Sequence, residues 1–410
     1  MSSSSVSKCP ILDPTGSDLH GEAAALRARG PAVRVELPGP VLAWSVTRHS
    51  VIQALLTDPR VSRDFRRHWP GRSEVPEGWV LAGIAFQESF FNSYGAEHHK
   101  ARGRLAPAFS PRRVERLRPQ VQATADLLVD ALAARPPGTS VDLRRELSLP
   151  LTMTVICDLF GVPDHLRAPI GSAIDGILES ALGPEEMVVR LTELNDRLTQ
   201  LLRYKQEHPA DDLTGDLLLA DRPGEEPMPE PELLGTMSAM IGAGYETSVN
   251  VITSAVHALL AHPESLAAVR DKAIGWRDVI EETLRVQAPV MHMPLRYAVA
   301  EIDLGEGVVI AEGDPIIIGF AAAGRDPALH PDRPDEFDPT RASKEHLAFG
   351  YGPHFCLGAH LARLETEIAL STLFERLPGL ALARPGQEPA RLASMMVNGP
   401  AALEVVPTPV

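Results

Sequence analysis

Phe349-Gly-Tyr-Gly-Pro-His-Phe-Cys-Leu-Gly358 puts one cysteine among three glycines, directly ahead of a stretch whose apolar spacing predicts a helix from Gly358 to Leu377. That setting suits a thiolate, because the free amides and the dipole at a helix N-terminus stabilise a negative sulfur. Gly350, Gly352 and Gly358 also remove the side chains that would block a bulky planar ligand or backbone N–H donation to sulfur. A lone cysteine can serve as the axial ligand of a haem iron, whereas zinc would need about four ligands. The same cysteine read in isolation is a small buried hydrophobe in a tight turn. What surrounds the segment has to decide.

Upstream, Glu282-Thr-Leu-Arg285 lies in a helical stretch, Trp276 to Gln287, and positions i and i+3 share a face, so the carboxylate and guanidinium can pair. Further back, a long apolar helix is expected from Pro231 to Ala261, with Ile241-Gly-Ala-Gly-Tyr-Glu-Thr247 at its middle. Each of its two glycines costs about 1 kcal/mol relative to alanine inside a helix, offset either by close helix packing or by a functional need. Glu246 and Thr247 form an acid–alcohol pair in otherwise apolar surroundings, where a carboxylate is seldom kept without a partner or a task. Glu97-His-His-Lys-Ala-Arg102 sets His98 and Arg102 at i and i+4 on one helix face.

Phe-Gly-x-Gly-x-His-x-Cys-x-Gly, matched here at every fixed position, resembles the haem-binding loop of the cytochrome P-450 superfamily, the haem-thiolate monooxygenases. The similarity runs from about Leu19 to the C-terminus and follows the soluble bacterial branch. It implies a mainly α fold with a minor β part: a triangular helical prism with the haem (heme b, iron protoporphyrin IX) between the long central helix and the helix after the cysteine. Cys356 is then the metal ligand, flanked by Phe349 and Gly358. His98, Arg102, Arg296 and His354 are implied to meet the haem propionates, and Glu282, Arg285 and Arg341 to form a structural brace. Ala243 and Gly244 would border the dioxygen pocket, with Thr247, Glu246 and ordered water as the catalytic proton-delivery group; Glu246 replaces the commoner aspartate.

The remaining sequence agrees. With 44% apolar residues over 410, disorder is excluded for most of the chain, and 39 basic against 54 acidic residues give −15, which argues against nucleic-acid and anionic-membrane binding. Cys9, Cys157 and Cys356 are too few and scattered for a disulfide framework, and no Cys-x-x-Cys exists. The N-terminus lacks an apolar signal core, and the most apolar helix is interrupted by Glu246, Thr247 and Asn250, so a cytoplasmic protein is expected. One domain over 1–410 is expected, with 1–18 as a flexible tail and no linker beyond the short stretch 221–231. Helical spacing recurs over Leu19 to Arg29, Val51 to Leu56, Val114 to Ala134, Leu147 to Phe160, Met187 to Tyr204 and Leu233 to Leu260. Strands are expected at Ala32 to Glu36, Val41 to Ser45, Tyr297 to Val299, Val308 to Ile310 and Ile316 to Ile318, and coil from Arg325 to Arg341.

Helical spacing lapses into an aromatic loop between Asp58 and Tyr94; its stretch Phe86 to Phe91, the segment Pro289 to Pro294 with Met291, His292 and Met293, and Ser394-Met-Met-Val-Asn398 align with pocket-lining regions of the family. Segments such as Arg60-Val-Ser-Arg-Asp64 resemble the branch with macrolide and steroid hydroxylases, which implies hydroxylation of a bulky apolar small molecule in secondary metabolism. Epoxidation, oxidative coupling or desaturation on the same haem is the alternative outcome, and a non-catalytic haem carrier or sensor a remoter one. The chain shows no flavin or nicotinamide fingerprint, so electrons would come to a monomer from a separate ferredoxin and ferredoxin reductase. Arg102, Arg104, Arg112, Arg113, Arg116 and Arg118 form a basic cluster suited to an acidic ferredoxin.

Overall fold

Helical spacing through the middle of the chain becomes helices in the computed structural model, which describes residues 9–174, 184–218 and 228–408. Pro231 in the first turn, with Glu230 and Glu232, starts the 32-residue helix Glu230–Ala261. A proline there lacks only an N–H that would go unpaired, and carboxylates suit the positive helix end. At 1.5 Å per residue the helix is about 48 Å long. It packs between Leu149–Phe160 and Ala359–Arg376. Ile156, Met237, Ile241, Val249, Leu361 and Ile368 fill the contact on one side of this helix layer, and Val256, Leu259, Leu284, Leu370 and Phe374 the other. The helix after the cysteine and the long helix are thereby fixed against each other through apolar burial.

A five-stranded sheet stands beside the helices in the order Val33–Leu37, Val41–Val46, Pro315–Gly319, His292–Ala298, Val61–Ser62. Its first pair is an antiparallel hairpin, Val33 opposite Ser45, and Trp44 lies opposite Ile316 in a parallel pairing. The strand His292–Ala298 starts five residues before the expected one. Pro294 argued for coil, but the register shifts between Met293 and Arg296, and a bulge is where a sheet tolerates proline. That strand delivers Arg296 to the interior.

Other differences have local causes. The expected helix Val114 to Ala134 is two, Pro111–Glu115 and Arg118–Ala133, because Pro119 opens a new first turn. The aromatic loop contains short helical turns, and Phe65, Trp69, Trp79 and Phe86 pack on one another and on Tyr297. A three-stranded sheet of Val141–Asp142, Glu404–Val406 and Ala381–Leu382 was not foreseen, since strands of two or three residues carry no readable alternation. The tail expected to be flexible is docked over residues 9–18: Leu12 is fully buried and its N–H donates to the Glu36 carbonyl at 2.9 Å. Residues 1–8, and 221–227 of the stretch weighed as a linker, lie outside the described residues. Among the described residues no helix is long and apolar enough to cross a membrane.

Candidate active site

The cysteine loop closes on itself before the helix begins. Cys356 N–H donates to the Phe349 carbonyl at 2.8 Å, Gly350 N–H to Leu347 at 2.8 Å and Phe355 N–H to Gly352 at 3.0 Å. Gly350 and Gly352 sit at φ of +70° and +69°, and a β-carbon on Gly352 would lie 2.7 Å from the Leu56 carbonyl oxygen, so neither position admits a side chain without strain. Cys356 is exposed just ahead of the Ala359–Arg376 helix. Burial pushes the thiol up, opposed by the Gly358 N–H bonded to sulfur and by the charges of Arg102 and Arg363. Arg102 also ties this loop to the Gly95–Leu105 helix, donating to the Phe355 carbonyl at 2.6 Å.

Beside it the structure collects His98, His354 and Arg296 in one buried cluster. The imidazole rings of His98 and His354 are 3.9 Å apart between centroids. Burial, then the charge of Arg102, brings His98 down to about 4, and burial followed by Arg63 holds His354 well below the usual histidine range. Arg296 is pushed down to about 10 by burial. Sequence reasoning missed Arg63, which is fully buried, donates to Asn92 Oδ1 at 3.1 Å and the Pro294 carbonyl at 3.2 Å, and stacks 3.7 Å from the Phe91 ring centroid. Its neighbours are distant in the chain, so no local pattern marked it. Nε and Nη1 of Arg63, Nη1 of Arg296 and Nε2 of His98 have no hydrogen-bond partner among the described residues. Buried guanidinium N–H groups without an acceptor are costly, so this cluster is built for a ligand bearing carboxylates. Haem, with two propionates on one edge and an iron that a single thiolate can hold, fits both halves of the site.

On the long helix, Ala243 is exposed between the half-buried Gly242 and Gly244. Gly244 is accounted for by packing: a β-carbon there would sit 2.5 Å from Ile156 Cδ1 of the adjoining helix, whereas one on Gly242 meets nothing within 4 Å. The Thr247 hydroxyl donates to the Ala243 carbonyl at 2.6 Å. The two members of the acid–alcohol pair read in the sequence have different bonding partners. Adjacent helical residues point about 100° apart, and Glu246 turns to Arg144, whose Nη2 lies 2.7 Å from its carboxylate while Nη1 donates to Asn250 at 2.7 Å. Arg144 comes from a π-helical turn, Arg144–Ser148, a hundred residues away.

A second carboxyl near Thr247 escaped the sequence reading. Glu365, on the helix after the cysteine, is buried, hydrogen-bonded to Ser248, and pushed by burial up to about 8. Its signal was a glutamate next to Leu364 and three residues before Ile368, on the apolar side of that helix. Unfolded, the group titrates near 4.5, so its contribution to stability is complete below that pH and is lost as pH rises through about 8. Glu365→Gln therefore flattens the fall in stability between pH 6 and pH 8, read from thermal unfolding at the two values; equal losses in variant and wild type would refute it.

The brace is formed. Glu282 and Arg285 are fully buried and doubly bonded at 2.7 Å, and Arg285 also donates to the carbonyls of Gly324, Pro334 and Glu336 at 2.7, 2.7 and 2.8 Å. Arg341 Nε stands 3.5 Å from Glu282. Much of the segment expected to line a pocket fills core instead. Met291, His292, Met395 and Met396 are buried, with His292 Nδ1 donating to the Met395 carbonyl at 3.0 Å.

The family model for cytochrome P450 matches residues 276–391. Over 400 residues the chain is 40% identical to 2-hydroxy-5-methyl-1-naphthoate 7-hydroxylase of Streptomyces carzinostaticus, covering 97% of each. It is 37% identical to cytochrome P450 monooxygenase PikC of Streptomyces venezuelae, covering 97% of this chain and 94% of PikC. Among solved structures, CYP154A1 from Streptomyces coelicolor A3(2) superposes with a TM-score of 0.92 at 46% identity, over 97% of this chain and 100% of that one. Testosterone-bound CYP154C4 from Streptomyces sp. ATCC 11861 gives 0.93 at 38% identity, over 97% and 98%.

Proposed function

The chain belongs to the cytochrome P450 family and is a haem-dependent monooxygenase, and from that premise we propose that it hydroxylates a bulky, mostly apolar polyketide- or steroid-like molecule with electrons from a separate ferredoxin system. The observation that carries the chemistry is the solitary Cys356, exposed just ahead of a helix N-terminus. Relatives support the substrate class: one is named for a naphthoate, one holds testosterone in its structure, and a third, 34% identical, is a vitamin D(3) 25-hydroxylase.

Haem bound to Cys356 supplies reductive activation of dioxygen and transfer of one oxygen atom to carbon. The protein's part begins at the sulfur, which the Gly358 N–H and the charges of Arg102 and Arg363 favour as thiolate. Arg63, Arg296, His98 and His354 hold the carboxylate edge. On the long helix Thr247 acts as the proton-handling hydroxyl, turning from the Ala243 carbonyl to donate, while Glu246 one residue away is held by Arg144. Titrating the holoenzyme with naphthoates, steroids and macrolides and watching the haem spin state names the substrate. With that substrate, product mass separates hydroxylation from coupling or desaturation. Thr247→Ala is expected to consume electrons with several-fold less product per electron, and undiminished coupling would remove Thr247 from the mechanism.

Part of the basic cluster is committed within the chain: Arg113 pairs with Asp211 and Asp216, and Arg118 with Glu115 and Glu367. Arg112 and Arg116 are exposed beside the Ala359–Arg376 helix, against which Pro111–Glu115 packs, and we assign docking of an acidic ferredoxin to them. Arg112→Glu with Arg116→Glu should slow reduction by ferredoxin and weaken its salt dependence, leaving dithionite reduction unchanged. Unaltered ferredoxin kinetics would place docking elsewhere.

A further inference from the structure

Beside the cysteine loop lies a charged unit of which the mechanism has used only Arg363. Arg363, about one turn into the Ala359–Arg376 helix that follows Cys356, donates from Nε and Nη2 to the Glu281 carboxylate at 2.5 and 2.9 Å. Glu281 sits on the Trp276–Val286 helix next to the brace residue Glu282. His346, at the approach to the cysteine loop, makes the third bond to it, Nε2 to Oε2 at 3.1 Å. Its tautomer is fixed by its other nitrogen: Nδ1 accepts the Ala348 N–H at 3.1 Å, so the proton is on Nε2 and is given to Glu281. Two helices and the loop thus meet at one carboxylate. Against the burial that opposes it, bonds from His346 and Arg363 hold Glu281 ionised, down at about 2.

The cation so held does not point into solvent. The Arg363 guanidinium lies 4.4 Å from the Phe349 ring centroid, in cation–π range. Phe349 in turn packs on His346 and Phe355, and its carbonyl receives the Cys356 N–H. The positive charge of Arg363 also acts on the sulfur itself. A fixed cation near a thiolate makes it a weaker donor and favours the reduced, more negative form of the iron it ligates; an anion beside that cation offsets the effect.

We propose that Glu281, His346 and Arg363 form an outer-sphere unit that sets the electron donation of Cys356 and hence the reduction potential of the haem, with Arg363 raising the potential and Glu281 moderating it. These are positioning residues, acting through Phe349 and the cysteine loop. The inference rests on Cys356 as the iron ligand, which the wild-type carbon monoxide spectrum tests separately.

Opposed signs provide the test. Midpoint potentials are measured on substrate-free holoenzyme for the wild type, Glu281→Gln, Arg363→Met and Arg363→Lys, alongside the carbon monoxide difference spectrum. Glu281→Gln leaves the cation uncompensated and raises the potential; Arg363→Met leaves the carboxylate and lowers it. Each shift is on the order of tenfold in the ratio of reduced to oxidised haem at fixed poise, about 59 mV for one electron. Arg363→Lys keeps the charge without the fork or the planar stacking and returns most of the potential, which also covers the case in which Arg363→Met fails to bind haem. Shifts of the same sign in Glu281→Gln and the arginine variants, or no shift in either, would overturn the proposal in favour of a purely structural clamp. Absence of the thiolate-type spectrum in the wild type would instead overturn the ligand assignment on which it stands.

Discussion

Cys356→Ser is expected to yield a folded protein that still binds haem, lacks the red-shifted Soret band of a thiolate-ligated carbon monoxide complex, and loses turnover by a thousandfold or more, about 4 kcal/mol. The two halves of the site make these outcomes separable. Haem retention depends largely on the carboxylate edge, where Arg63, Arg296, His98 and His354 are untouched by the substitution. The spectrum depends on the sulfur. A serine hydroxyl at the same place would meet the same Gly358 N–H and the same charges from Arg102 and Arg363, which favour an anion. Iron binding takes the proton from a thiol, with an ordinary pKa near 8.5, and these groups favour the resulting anion, but an alcohol is far too weak an acid for them to ionise. Neutral oxygen gives the iron little electron density, and the push that favours O–O cleavage goes with it. Absorption of the reduced, carbon-monoxide-treated variant decides the matter: a persisting thiolate-type band would mean that Cys356 is not the ligand.

Elements with strong periodic signals were legible from sequence to within a few residues. The helix expected from Gly358 to Leu377 spans Ala359–Arg376, and the first helix, Leu19–Arg29, lies as expected. The cysteine loop was legible because its requirements are local: two positive φ values, a close approach to Leu56, and a helix start all fall within ten residues. Legibility failed where a side chain's partner lies far along the chain. Glu246 was seen to need a partner or a task, but nothing local points to Arg144. Arg63 looked like one more loop arginine, since Asn92 and Pro294 join it only in the fold. The methionines of 291–293 and 395–396 fit a pocket or a core equally well by composition, and burial decided for core at Met291, Met395 and Met396. Glu281 went unnoticed beside Glu282 because adjacent carboxylates on a helix look alike until one is seen to face the brace and the other the cysteine loop.

Glu282→Gln is expected to cost about 3–5 kcal/mol of stability, the largest single loss outside the apolar core. The value follows from what is left behind. Arg285 is fully buried, and its Nε and one Nη2 bond go to a carboxylate that a neutral amide replaces with one acceptor oxygen and an NH2 that donates in the wrong direction. The buried guanidinium then keeps its charge with no anion at bonding distance except through Arg285's backbone carbonyl partners, which are dipoles. The Asp338 N–H, at 2.9 Å from the same carboxylate, loses part of its partner as well. By contrast the Arg48–Glu306 pair joins side chains 27% and 59% exposed, and its removal should cost no more than about 1 kcal/mol. Replacing both brace residues with leucine removes the stranded charge, yet recovery should be incomplete: Arg285 also satisfies the carbonyls of Gly324, Pro334 and Glu336, and those would be left without donors. Thermal unfolding of the holoenzyme followed by circular dichroism ranks the variants, with Glu282→Gln lowest, the double leucine variant between it and the wild type, and Glu306→Gln indistinguishable from the wild type. A Glu282→Gln protein as stable as Glu306→Gln would show that the brace is not a structural anchor. Because Asp338 and the segment it begins lead into His346 and the cysteine loop, the same variant should also lose its thiolate-type spectrum on warming before its helices melt, which ties the stability of the brace to the ligand it supports.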